Sequence, residues 1–157
     1  MQIKADDFKM FSFLKGREKP NIVFITVDQF RFDRLDYVPF FGDLKKRGTF
    51  FSQVITYAPY TLASMHAIYT GMYGYRNRVN AYYGSDRFDN KGCKTLTSYL
   101  KDIGFWTCGD FMSKITIPHQ GFDVPNVHDE YSENLTFRHK GILAESTRHK
   151  PFFLYLH

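Results

Sequence analysis

The stretch "NIVFITVD", residues 21–28, decides the fold class. Six apolar or β-branched residues run without alternation from Ile22 to Val27. Alternation would mark a strand with one wet face. An unbroken run marks a strand buried on both faces, as in a parallel sheet covered by helices. Asp28 ends the run, and an acid at the C-terminal tip of such a strand points into the crevice where α/β proteins bind ligands.

Outward from that strand, the chain alternates. "PFFGDLKKR" (39–47) reads as a short helix stopped by Gly48, and "TFFSQVIT" (49–56) as a strand. A turn at Ala58-Pro59 leads into a helix from Leu62 to Thr70, followed by a polar loop over 72–92. "KTLTSYLKDIG" (94–104) is an amphipathic helix with Leu96, Tyr99, Leu100 and Ile103 on one stripe, ended by Gly104. "FWTCGDF" (105–111) reads as a strand, 113–132 as irregular, and 133–148 as a helix with Leu135, Ile142 and Leu143 inward. "PFFLYLH" (151–157) is a second unbroken apolar strand. Strands alternating with helices predict an α/β fold on a mostly parallel sheet. Residues 1–19 are mixed in character and expected to be peripheral.

Composition excludes several classes. The 157 residues match one ordinary domain, and 43% hydrophobic residues supply a core. The net charge of +5 is scattered, and its one short cluster, Lys45, Lys46 and Arg47, fits the solvated end of a helix. No zinc-finger or basic-zipper pattern supports a nucleic-acid partner. Cys93 and Cys108 show neither CxxC spacing nor a disulfide framework. No signal peptide and no membrane span is evident, so a cytoplasmic location is the default expectation.

Three places carry candidate chemistry. Thr61 stands at the mouth of the 62–70 helix. Its hydroxyl reads in two ways: as the helix N-cap, which stabilises by about 1 kcal/mol, or as a nucleophile toward an anionic ester drawn to the free helix amides. Asp28 and Gln29 offer hard oxygen atoms suited to a divalent cation, the alternative being an ordinary exposed acid after a strand. In "GDFMSKITIPHQGFD" (109–123), Lys114 and His119 are candidates to balance a bound anion or protonate a leaving group, or else plain loop residues. His66 reads as a hydrogen-bonded helix histidine, while His128, His139 and His149 show no mutual metal spacing.

The order of these pieces adds a resemblance. "KPNIVFITVDQFRFD", "LKKRGTFFSQV", "YTLASMHAIYTGMYGYRNRV", "KTLTSYLKDIGFWT", "HQGFD" and "KPFFLYLH" follow one another as in the N-terminal part of the sulfatase family, within the alkaline-phosphatase superfamily. The resemblance runs from about Pro20 to His157. It implies an alkaline-phosphatase-like three-layer sandwich with helices on both faces of the sheet, incomplete in this chain. It also implies a metal-dependent hydrolase or transferase acting on phosphate or sulfate esters.

Residue by residue, the resemblance puts a divalent cation (Ca, Mn, Zn or Mg) on Asp28 and Gln29, with the nucleophile at Thr61, itself a metal contact. Many sulfatases have a second Asp where this chain has Gln29, and a Gln there is similar to the phosphonate- and phosphodiester-cleaving branch. The formylglycine motif of true sulfatases is Cys or Ser, any residue, Pro, any residue, Arg. Here the aligned positions are Thr61, Ala63 and Met65. A threonine in this place resembles the phosphoglycerol transferases and nucleotide phosphodiesterases. A sulfated threonine has no aldehyde route by which to expel sulfate, whereas a phosphothreonine can be attacked in line by water or an alcohol. Because the family draws its remaining metal ligands from a C-terminal half, the resemblance implies an N-terminal part, catalytically silent alone. Its expected partners are an anionic ester substrate and that other half or another chain. The rival expectation is a non-catalytic remnant that binds a partner or an acidic glycan.

Overall fold

The computed structural model describes residues 18–157, so the expectation for residues 1–19 falls almost wholly outside it. Four strands form one sheet: β1 (Ile22–Ile25), β2 (Trp106–Phe111), β3 (Val124–Val127) and β4 (Phe152–Leu156). Their order is β1-β4-β2-β3, and every pair is parallel. The last strand is thus inserted between the first and second, with Ile22 opposite Phe153 and Trp106 opposite Phe152. Among the described residues five α-helices accompany the sheet: α1 (Pro39–Arg47), α2 (Thr61–Thr70), α3 (Gly74–Asn77), α4 (Leu96–Asp102) and α5 (Leu135–Ser146). The fold is α/β, as the unbroken apolar runs predict.

The alternation of side chains along a strand sorts the core into two layers. Phe153 and Tyr155 of β4 point to one face, where they pack with Phe111, Met65 and Tyr69 of α2, and Leu100 of α4. Phe152, Leu154 and Leu156 point to the other, where Cys108 is buried and Ile142 of α5 packs against the cluster. Helices therefore lie on both sides, giving three layers. Two β4 side chains, Leu154 and Tyr155, have no exposed surface at all. This bears out "PFFLYLH" as a strand, and the strand order places it inside the sheet.

Local signals explain the element ends. Pro39 sits in the first turn of α1 and Gly48 ends it. Gly71 closes α2 at φ 63°, a left-handed conformation that glycine adopts without penalty. Thr95 caps α4 by accepting from the Ser98 amide, and Asn134 caps α5 by accepting from the Phe137 amide. Gly121 has φ 85°, and a Cβ there would lie 2.2 Å from the Ser98 amide nitrogen. That close approach seats the loop before β3 on the start of α4.

Several expectations are corrected. β1 is an edge strand, and only alternate residues face the core: Ile22 and Phe24 pack inward, while Val23 and Ile25 are exposed. Among the described residues the α5 layer packs on β4 and Val23 and Ile25 have no cover on the second face of β1. "TFFSQVIT" forms no strand, because it joins no ladder, and Val54 and Ile55 stand in solvent. Residues 113–132, expected to be irregular, contain β3. Pro125 and Asn126 disguise it, and both fit an edge position. The 72–92 loop contains the single-turn helix α3. On α4, Thr97 rather than Tyr99 is buried, and on α5 Leu143 faces outward with Ile142 half-buried.

Candidate functional site

Parallel packing brings all four strand ends to one edge of the sheet. Asp28 follows β1, and Thr26 extends the pairing by donating its amide to the Leu156 carbonyl at 2.9 Å. The chain then turns sharply. Gln29 takes φ 56°, and its amide donates to Asp28 Oδ1 at 3.0 Å. Holding a non-glycine residue in the left-handed region costs free energy, and such strain collects at functional sites.

The helix α2 starts beside this turn. Its N-cap is Tyr60, in extended conformation, and no side chain caps the helix. Thr61 is the first helical residue, one position later than the cap reading requires. Its hydroxyl donates to Asp28 Oδ1 at 3.2 Å, across 33 residues of chain. The first amides of a helix lack intrahelical partners. With no side-chain cap, they remain open to a ligand. The other hydroxyl of this turn is already engaged, since Ser64 donates to the Ala58 carbonyl at 2.8 Å and lies 2.9 Å from the Thr56 hydroxyl.

Asp28, Gln29 and Thr61 all line one cleft of about 810 Å³. Tyr60, Tyr82 and Tyr83 form part of its wall, and Tyr60 is held by donating to the Asn80 carbonyl at 3.0 Å. Ser113 and Thr116 of the loop after β2 line it too. Lys114 and His119 do not. Lys114 is exposed. His119 stacks on Phe111 at 4.7 Å, with Nε2 buried and without a hydrogen-bond partner among the described residues. Burial, reinforced by the Lys114 charge, lowers its pKa, so the ring is neutral at pH 7. A neutral ring offers hydrogen bonding rather than charge to an anion.

His157 joins the site from the tip of β4, where an apolar strand followed by a single His gave no motif to read. Its Nδ1 lies 2.8 Å from the Tyr155 hydroxyl. Its Nε2 is buried, lacks a hydrogen-bond partner among the described residues, and lies 4.0 Å from Asp28 Oδ2. Burial lowers its pKa against the opposing charge of Asp28. The Asp28 and Thr61 oxygens and the His157 nitrogen are donor types that suit a divalent metal.

Farther along the same edge, two of the histidines that show no mutual metal spacing in the sequence come together in the fold. His128 Nδ1 lies 3.0 Å from Asp110 Oδ2, and His139 Nε2 lies 3.1 Å from the same oxygen. The fold brings them together from β2, the end of β3 and α5, so no sequence spacing announces them. His149 goes elsewhere, stacking on Trp106 at 4.1 Å. His66 is buried with Nδ1 2.8 Å from the Leu62 carbonyl, as its helix position predicts.

The buried histidines give a pH dependence. Burial lowers the pKa of His66 and His119 in the folded state, while the unfolded chain titrates near about 6.5. Below that value the unfolded state binds more protons, so stability is full above about pH 6.5 and falls with further acidification. Thermal melts from pH 8 to pH 5 are expected to show a level Tm that drops below about pH 6.5. A Tm that rises on acidification over that range would contradict the buried, neutral assignment.

No helix of the described residues is long and apolar enough to cross a membrane. Comparison with curated proteins returns no match. The family model described as Sulfatase matches residues 20–157. That span holds the whole sheet, the Asp28 turn and the start of α2, so the chain belongs to the sulfatase family, and its parallel sheet is alkaline-phosphatase-like.

Proposed function

We propose that this domain transfers phosphoryl groups from phosphate esters, with Thr61 as the nucleophile. Membership of the family supports ester chemistry with divalent metals. The hydrogen bond from Thr61 Oγ1 to Asp28 Oδ1 carries the finer reading. It takes the hydroxyl away from capping and aims it into the cleft. Phosphate rather than sulfate follows from the motif positions. Thr61 cannot become formylglycine, and Ala63 and Met65, where true sulfatases have Pro and Arg, are core residues with 0% and 4% exposure.

Asp28, Gln29, Thr61 and His157 would hold the cation. When bound, it supplies positive charge that lowers the hydroxyl pKa and offsets the charge of the ester. The protein's own groups do the rest. Thr61 Oγ1 attacks phosphorus, its proton passes toward the Asp28 carboxylate, and the P–O bond to the alcohol breaks. The departing alkoxide takes a proton from solvent. Water or an acceptor alcohol then attacks the phosphothreonine, breaking its P–Oγ1 bond and restoring the hydroxyl. The uncapped amides of α2 favour the anionic group, and the tyrosines of the cleft wall offer flat surfaces to an apolar or ring-bearing ester substituent.

Manganese calorimetry tests the cation site. Asp28→Ala is expected to weaken Mn²⁺ binding by at least about 10-fold while the far-UV dichroism stays unchanged. Equal affinity in the two folded proteins would remove Asp28 from the metal site.

A further inference from the structure

Asp110, His128 and His139 lie outside the Thr61 cleft, and nothing in the proposed reaction uses them. Asp110 has no exposed surface, and the Arg138 guanidinium donates from Nε and Nη2 to its Oδ1 at 3.1 and 2.9 Å. The Nε also donates to Oδ2 at 3.0 Å. The two histidine nitrogens both approach Oδ2. His128 makes a hydrogen bond to it, but His139 does not. Its Nε2 is buried and has no hydrogen-bond partner among the described residues, although it lies 3.1 Å from the oxygen.

We propose that Asp110 Oδ2, His128 Nδ1 and His139 Nε2 form a zinc site. The three ligand atoms all lie within 4.8 Å of one another. Bond lengths near 2.0–2.2 Å place neighbouring tetrahedral ligands about 3.3 Å apart. The two separations to Oδ2 therefore need to widen by only a few tenths of an ångström. Two imidazoles and one carboxylate suit Zn²⁺ or Co²⁺ and suit Mg²⁺ or Ca²⁺ poorly. This differs from the oxygen-rich set around Asp28.

The surroundings answer the objection that Arg138 would repel a cation. Its other arm, Nη1, lies 2.6 Å from Glu133 Oε2, so the guanidinium is shared between two acids. Its contacts on both oxygens orient the carboxylate, the role that outer partners play around metal ligands. Glu133 is itself positioned by the Asp129 amide, which donates to its Oε1 at 3.2 Å. The ion would tie three elements that share no covalent neighbour: β2, the segment leaving β3, and α5.

Zinc competition against a chromophoric chelator tests the site. It is measured in the Asp28→Ala background, so that loss of the first site and of this one are distinguishable. One equivalent of Zn²⁺ is expected to bind, with a tetrahedral visible spectrum when Co²⁺ is substituted. His139→Ala removes a partly exposed helix side chain and should leave the fold intact by far-UV dichroism. It is expected to weaken Zn²⁺ by more than the roughly 10-fold to 100-fold that loss of an outer partner causes. His128→Ala should act alike, and Mg²⁺ should not compete. No zinc bound at micromolar concentration, or equal affinity in folded His139→Ala, would overturn the proposal.

Discussion

Thr61→Ala is expected to lower phosphodiester turnover by roughly 10³-fold or more when measured on the natural polypeptide, as loss of a covalent nucleophile does. Thr61→Ser should retain a measurable rate, because a primary hydroxyl can take the same position beside Asp28. The stability of both variants should stay within about 0.5 kcal/mol of the parent, the range of substitutions that remove no cap and open no cavity. This separates the nucleophile from a helix cap, whose loss would cost about 1 kcal/mol and leave the rate nearly intact. The geometry already points away from the cap, since Tyr60 holds that position and the Thr61 hydroxyl is bonded to Asp28. Thr61→Ala with near-parental turnover would contradict the assignment.

Arg138→Met is expected to be the most destabilising single change on the surface of the sheet edge. It leaves the Asp110 carboxylate, which has no exposed surface, without its guanidinium. Removing one partner of a buried ion pair costs about 3–5 kcal/mol. Urea unfolding in metal-free buffer should show that loss as a lower midpoint with little change in slope. The double variant Asp110→Asn with Arg138→Met should recover much of it, because no uncompensated charge remains. A loss under about 1 kcal/mol in the single variant would show that the pair behaves as an exposed one.

The sequence made the layered plan legible where local signals were strong. The run in "PFFLYLH" is unbroken because β4 has neighbours on both edges and helices on both faces. Gly48, Gly71 and Pro39 mark helix ends by backbone chemistry that does not depend on the rest of the fold. The same rule misled at β1, where the apolar run is real but Val23 and Ile25 have no covering layer among the described residues. It misled again at 49–56, where β-branched residues have no ladder to join. β3 was hidden for the opposite reason, since its four residues include Pro125 and Asn126.

At the site, Asp28 and Thr61 were legible as separate features, an acid after a strand and a hydroxyl before a helix. Their contact was not, because it depends on how α2 is laid against β1. His157 and the Asp110, His128 and His139 group were invisible for a related reason. Each comes from a different element, β2, the segment after β3, α5 or the tip of β4, and only the folded chain gathers them at one edge. Lys114 and His119 show the converse. Their types suit anion chemistry, but the loop turns one into solvent and the other onto Phe111.

The most direct test of the central claim is to look for the phosphate on the protein. The natural polypeptide, mixed with a phosphodiester and Mn²⁺ and quenched in acid within a turnover, should yield a phosphorylated peptide by mass spectrometry. Fragmentation is expected to place the phosphate on Thr61, and the signal should vanish in Thr61→Ala. A phosphate found on Ser64 or another residue, or turnover that persists in Thr61→Ala with no phosphopeptide at all, would contradict the account.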